Sequence, residues 1–383
     1  LKFNRRKYLK AGLLTALSSS LPFPRVKAEE TAAPAADGAQ HDGIVDWHTH
    51  WFAPSELALL KKRKEAPRLV EESGDRYILT PSNATGLGGK FHVLERHTNL
   101  ESRIPYLKKN GVKRQIISYT IPIGYDSVVS APEMKELLRG FNDDLAAVVR
   151  KHPDVYSGLA GLTTTDVAWS AQELERTHRE HGFYGGSLPL NAFATVEGAR
   201  HLAPIFEVAQ KQKSHLLIHR GAASPDIPGQ PTYVVPKDNE PARRGLQTDS
   251  QLAAGAITLG LSDFLDAYPD VTVQVIMLGG FIPYLAEEIR EATQRDNTPD
   301  PLQRLRRIYF DPGPYSVLQR SVELAAETFG SDRILFGSDY GPAPALEPAI
   351  SKIGGSSRLT AEDKRNIFSA NAKQLLARHG IAS

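Results

Sequence analysis

The chain contains no cysteine among its 383 residues. Disulfides, thiolate nucleophiles and cysteine-rich zinc sites are thereby excluded. A metal centre would have to be built from His, Asp and Glu. A bilayer-length apolar segment is also missing at the N terminus, where the apolar stretch Ala11 to Phe23 is too short to span a membrane. No G-x-G-x-x-G follows a strand-like run, so the dinucleotide-binding signature of a doubly wound sheet is absent. Composition is otherwise ordinary for a globular chain, at 41% hydrophobic and 23% charged residues, and the length allows one large domain or two medium ones.

The N terminus differs from the rest. Asn4-Arg5-Arg6-Lys7-Tyr8-Leu9-Lys10 precedes the apolar stretch, and Val26-Lys27-Ala28 offers a small-residue cleavage site. Paired arginines before a short apolar run resemble a twin-arginine export signal. Residues 1–28 are expected to be a signal peptide read by the twin-arginine translocase. The mature protein would then be periplasmic or secreted, without a stable membrane anchor. An ordinary amphipathic helix is the alternative. These 28 residues hold seven Lys/Arg and no Asp/Glu, so the net charge of +2 becomes 2 − 7 = −5 from Glu29 onward. The basic balance belongs to the export segment, and nothing points to nucleic acid. Twin-arginine export carries folded proteins, so a metal could be loaded beforehand. Residues 29–43, EETAAPAADGAQHDG, lack apolar periodicity and read as a flexible leader.

From residue 44 onward, to 383, short apolar runs alternate with helical-period segments. The runs fall at 44–46, 114–119, 155–162, 182–188, 214–219, 271–277, 307–311 and 334–339. Helical patterns between them include 134–152 and 171–182, the second stopped by Gly182. Eight strands separated by helices are the pattern of an α/β protein of the (β/α)₈ TIM-barrel type. Surplus residues fall after the first strand (about 51–100) and after the fifth (about 221–255). Both are βα loops on the face that carries barrel active sites. GLGGK at 86–90 fails as a phosphate cradle, because Phe91 stands where Ser or Thr should follow the lysine, and reads as a mobile turn or lid.

Val45-Asp46-Trp47-His48-Thr49-His50-Trp51 carries the first chemical signal. Alternate residues of a strand share a face, so His48 and His50 project together. Two parallel imidazoles suit a metal ion, although a hydrogen-bonded pair is the plain alternative. His219 closes the fifth run and Asp339 the eighth. Four groups thus reach one rim, a donor set that fits a zinc-like ion with an open position. His215 begins the fifth run and is expected in the core.

These stretches resemble the amidohydrolase superfamily, in particular the amidohydrolase-related family that includes aminocarboxymuconate-semialdehyde decarboxylase. The resemblance runs from 44 to 377. It is carried by DWHTHW, RIPYLKKNGVKRQIIS (103–118), NDDLAAVVRKHPDVYSGLAGL (142–162), FDPGPY (310–315), DRILFGSDYGP (332–342) and NAKQLL (371–376). It implies one divalent metal, usually zinc, on His48, His50 and His219. Asp339 would be a further ligand or would handle a proton. Relatives are often homodimers. The fourth strand, GFYGGSLPLN, lacks the lysine of binuclear members, so a single ion is expected.

The pattern breaks on the sixth strand. VQVIMLGGFIPY (273–284) places Met277 where the family carries a histidine that polarises substrate or shuttles protons. A thioether has no titratable proton. Asp339 could act alone, helped by His97, Arg220 or Asp311. The substrate could need only a metal-activated hydroxide. Or the protein could be a periplasmic binding protein without turnover. Plain structural roles exist for the helpers too: Asp311 could cap the loop before Pro312, His97 could be a surface residue, and Arg220 could pair with a rim acid or clamp a carboxylate. The expectation drawn is an exported metal-dependent enzyme acting on a small cyclic or unsaturated carboxylic acid. Hydrolysis is favoured over non-oxidative decarboxylation because a hydroxide can dispense with the missing histidine.

Overall fold

The computed structural model describes residues 43–81, 89–232, 236, 238–295 and 300–381. The expected export segment, nearly all of the leader and Gly86–Gly88 of the glycine turn lie outside the described residues. Among the described residues, no helix is long and apolar enough to cross a membrane.

The strands in chain order are β1 (Ile44–His50), β2 (Arg68–Glu72), β3 (Asp75–Thr80), β4 (Gly89–Val93), β5 (Val112–Ser118), β6 (Tyr156–Gly158), β7 (Ala160–Gly161), β8 (Gly185–Pro189), β9 (His215–His219), β10 (Thr272–Val275) and β11 (Tyr309–Phe310). β1, β5 and β6 pair in parallel, as do β7, β8, β9, β10 and β11. β6 and β7 flank Leu159, whose amide donates to Ile117, and together fill the third barrel position. The eighth position is residues 334–340, which make isolated bridges rather than a regular strand. Backbone bonds still close the ring there: Leu335 donates to Phe310, Trp47 to Phe336, Asp339 to His48 and His50 to Tyr340.

Strand limits differ from those expected. β1 runs on to His50, because its last residues pair with β5 and with the eighth segment. The sixth strand stops at Val275, and Met277 lies in the turn beyond it. β8, β9 and β10 are buried along their whole length, as parallel strands covered by helices must be. The helices Ala131–Lys151 and Val167–His181 fall on the two expected patterns. Gly182 ends the second at φ 68°, a left-handed stop that a glycine takes without strain.

The surplus after β1 contains the antiparallel sheet β2-β3-β4. Its Phe91 packs against Phe52 and His97, so the insertion leans on the barrel mouth. The surplus after β9 is shorter than expected, since the barrel helix Glu240–Leu261 begins within it. Deep in the barrel, Trp47 Nε1 donates to His215 Nε2 at 3.0 Å. β1 and β9 are not neighbours, so this bond crosses the interior. Thr272 lies 3.0 Å from the other ring nitrogen, and burial pushes His215 down to about 3, which keeps it neutral. It is the core histidine its position predicts.

Candidate metal centre

Three imidazoles converge at the C-terminal rim. His48 Nε2 lies 3.1 Å from His50 Nε2 and 3.0 Å from His219 Nε2, and the last two are 2.9 Å apart. Asp339 Oδ1 is 3.2 Å from His50 Nε2 and 3.6 Å from His48 Nε2. One ligand atom from each of the four lies within 4.8 Å of all the others.

Outer partners fix which nitrogen carries each proton. His48 Nδ1 donates to Asp311 Oδ1 at 2.7 Å. His219 Nδ1 donates to the Arg220 carbonyl at 3.1 Å. Ser118 Oγ donates to the Thr49 carbonyl, so at 3.2 Å it accepts from His50 Nδ1. Each ring therefore turns an Nε2 lone pair inward. Burial disfavours charge on His48, yet the touching Asp311 carboxylate, with Asp339 and Asp46 beyond, lifts it to about 9. Burial, only partly offset by Asp339, lowers His50. Burial, then the charges of His50 and His48, lowers His219. The three rings thus hold at most one extra proton, on His48. His50 and His219 would still face each other lone pair to lone pair at 2.9 Å. A cation among them removes that conflict, so the donor set fits a divalent ion.

Asp339 reaches this place through its backbone. It sits at φ 57°, a left-handed conformation uncommon outside glycine, with its amide bonded to the His48 carbonyl. Asp46 braces the same turn, accepting from Ser338 N at 3.0 Å, Ser338 Oγ at 2.6 Å and Gln115 Nε2 at 3.0 Å. Burial raises Asp46 to about 6 in spite of those bonds.

The other singled-out residues separate into two groups. Asp311 is fully buried and does more than cap a loop: it holds His48 and accepts from Gln274 Nε2 at 2.5 Å. Gly337 makes room for it, since a Cβ there would lie 2.6 Å from Asp311 Oδ1 and 2.8 Å from His48 Cβ. Arg220 stands beside His219, with Nη1 donating to Thr248 Oγ1 at 3.1 Å. His97 is buried rather than a surface residue, and lines a narrow cleft with His50, Trp51, Phe52, Thr120 and Pro342. Its Nδ1 accepts from Leu94 N at 2.8 Å, and burial, with Arg96 nearby, pushes it down to about 3. Met277 is buried at φ 52° and opens four consecutive residues of positive φ through Gly280. The reading from sequence missed Ser118, Gln274, Thr248, Asp46 and the Tyr315–Asp249 pair, in which Tyr315 Oη donates at 2.7 Å.

A parallel barrel with three histidines and one aspartate converging at its C-terminal rim has the donor set of a metal-binding barrel protein. The chain belongs to the amidohydrolase family, whose pattern, described as Amidohydrolase, it matches over residues 45–378. It is 25% identical over 297 residues to a gamma-resorcylate decarboxylase of Polaromonas sp. (strain JS666), covering 72% of this chain and 86% of that protein. It is 22% identical over 335 residues to Decarboxylase orsB of Emericella nidulans, covering 84% and 97%. A 5-carboxyvanillate decarboxylase of Novosphingobium aromaticivorans, solved with manganese, superposes with TM-score 0.65 at 19% identity over 89% of this chain and 99% of that one. A dihydroxybenzoic acid decarboxylase of Polaromonas sp. JS666, solved with manganese and 2-nitroresorcinol, gives TM-score 0.63 at 18% identity over 88% and 97%. At such identities the structural likeness establishes the barrel fold.

Proposed function

We propose that the protein is an exported, metal-dependent, non-oxidative decarboxylase of a small aromatic carboxylic acid. The observation that carries this is the convergence of three Nε2 atoms beside Asp339. The similarity to gamma-resorcylate decarboxylases supports the reaction class. Decarboxylation therefore displaces hydrolysis, the option favoured from sequence, as the leading reading.

Loss of CO2 breaks one C–C bond and leaves the electron pair on the ring carbon. A proton must reach that carbon, and no oxidant is consumed. A bound divalent ion would supply Lewis acidity and orient substrate oxygens. Asp339 is the group able to deliver the proton, because its side chain is 18% exposed whereas those of His48 and Asp311 are shut off from solvent. Asp311 holds the His48 ring in place. Met277 has no proton to give.

Zinc was expected; the similar structures with manganese make that metal an equal choice for the site. Export rests on Arg5-Arg6 and Val26-Lys27-Ala28, and a homodimer on the family resemblance. A second reading, a binding protein without turnover, is favoured by Met277 in the place of a histidine.

CO2 release from a panel of hydroxybenzoates, with metal-loaded and chelator-treated protein, tests the proposal. Metal-dependent release is expected, with Asp339→Asn lowering it by about 100-fold or more. Ester or lactone hydrolysis without CO2 would overturn the reaction class. Binding of acids with no turnover would favour the second reading.

A further inference from the structure

A polar chain runs through the barrel interior and ends on the metal centre. His48 Nδ1 donates to Asp311 Oδ1 at 2.7 Å, and Asp311 Oδ2 accepts from Gln274 Nε2 at 2.5 Å. Gln274 Oε1 lies 3.0 Å from His215 Nε2, and Thr272 Oγ1 lies 3.0 Å from the other nitrogen of that ring. Trp47 Nε1 reaches the same His215 Nε2 at 3.0 Å from β1, across the interior. His48, Asp311, Gln274, His215 and Trp47 are all fully buried. Thr272 and Gln274 are two residues apart on β10 and share its inward face, so the chain climbs from the layer of His215 to the rim.

Barrel interiors are ordinarily filled by branched apolar side chains. Such residues would occupy this layer without the cost of burying an amide, an indole and an imidazole, so packing alone does not account for the chain. Its two ends are also unequal. The bond to the Asp311 carboxylate is charge-assisted, roughly twice as strong as a neutral one, and it sets the amide nitrogen toward Asp311. The amide oxygen is then left against a ring nitrogen that already accepts from Trp47. The chain thus satisfies Asp311 fully and leaves its imperfect contact at His215, away from the metal ligands. We infer that Gln274 is a positioning residue of the metal centre, acting through Asp311 on His48, and that His215, Trp47 and Thr272 hold its amide from below. A carboxylate gripped on both oxygens is held against rotation, so His48 keeps Nε2 aimed at the ion. This rests on the reading that a divalent ion is bound, but not on the reaction.

The test is manganese affinity of the full chain by chelator competition, together with the visible spectrum of the cobalt-loaded protein, which reports ligand geometry. Wild type, Gln274→Met, Gln274→Leu, Asp311→Asn and the double variant Asp311→Asn/Gln274→Met are compared, with melting curves showing which are folded. Gln274→Met keeps the length of the side chain and removes its donor. It is expected to weaken manganese binding about 10-fold and to shift the cobalt bands. Gln274→Leu should do the same, which keeps the test open if one of the two fails to fold. The double variant should lose little beyond Asp311→Asn alone, because Gln274 acts through that carboxylate. Additive losses would overturn the inference. So would affinity and cobalt bands unchanged in a folded Gln274 variant, which would reduce the chain to core packing. A wild type that binds neither metal would remove the metal reading itself, and the inference with it.

Discussion

Asp311 shows how a single fully buried residue can decide the state of the centre. Its bond to His48 Nδ1 fixes the tautomer and turns Nε2 inward. Replacing it by Asn removes the charge but preserves most of the volume. Asp311→Asn is expected to weaken metal binding about 10- to 100-fold, read by competition with a chromogenic chelator. Unchanged affinity would mean that His48 is oriented by packing alone. At this scale the four converging residues were legible because each stands at or near the C-terminal end of a barrel segment, where residue type and position coincide. Asp311 was visible only as a candidate. Ser118, Gln274 and Asp46 carried no local signal, since their roles arise from contacts between strands distant in sequence. Thr248 and Asp249 were hidden for the same reason, on a helix whose pattern shows only an apolar face.

Elements were read correctly where periodicity was strong and less well where pairing decides. The helices Ala131–Lys151 and Val167–His181 follow their patterns. The eighth segment was expected as a strand, but the left-handed turn at Asp339 breaks its ladder and leaves isolated bridges. The third run splits at Leu159, where pairing passes from β5 to β8. The three-stranded insertion was seen only as surplus length. One helix also carries a pH dependence. Glu56, on the helix Pro54–Lys62, is fully buried and accepts from Tyr125 Oη at 2.6 Å and Ala53 N at 3.3 Å. Burial raises it from 4.5 to about 8, the two hydrogen bonds offsetting only part of this. Between those values the folded state keeps a proton that the unfolded chain has lost. Stability contributed here is therefore complete below about 4.5 and falls as pH rises to about 8, by up to ~1.4 kcal/mol per pH unit. Urea melts across that window should show the fall in wild type and a flatter profile in Glu56→Gln. Parallel profiles would assign the slope to Asp46 or Asp126, whose pKa values burial also raises.

On the scale of the whole molecule, barrel closure brings residues from positions 48, 50, 219 and 339 within 4.8 Å. The parallel topology and the family were legible because strand ends, helix stops and the His-x-His and GSDYGP stretches agree with one another. The reaction was not, because Met277 removes the residue from which it would be inferred. The central claim is that the chain holds one divalent ion on these four residues. Metal content of purified protein by elemental mass spectrometry tests it most directly, with wild type and a His48→Ala/His50→Ala variant side by side. The account predicts close to one ion per chain in wild type and near none in the variant. No metal in wild type after reconstitution, or equal metal in both, would contradict it.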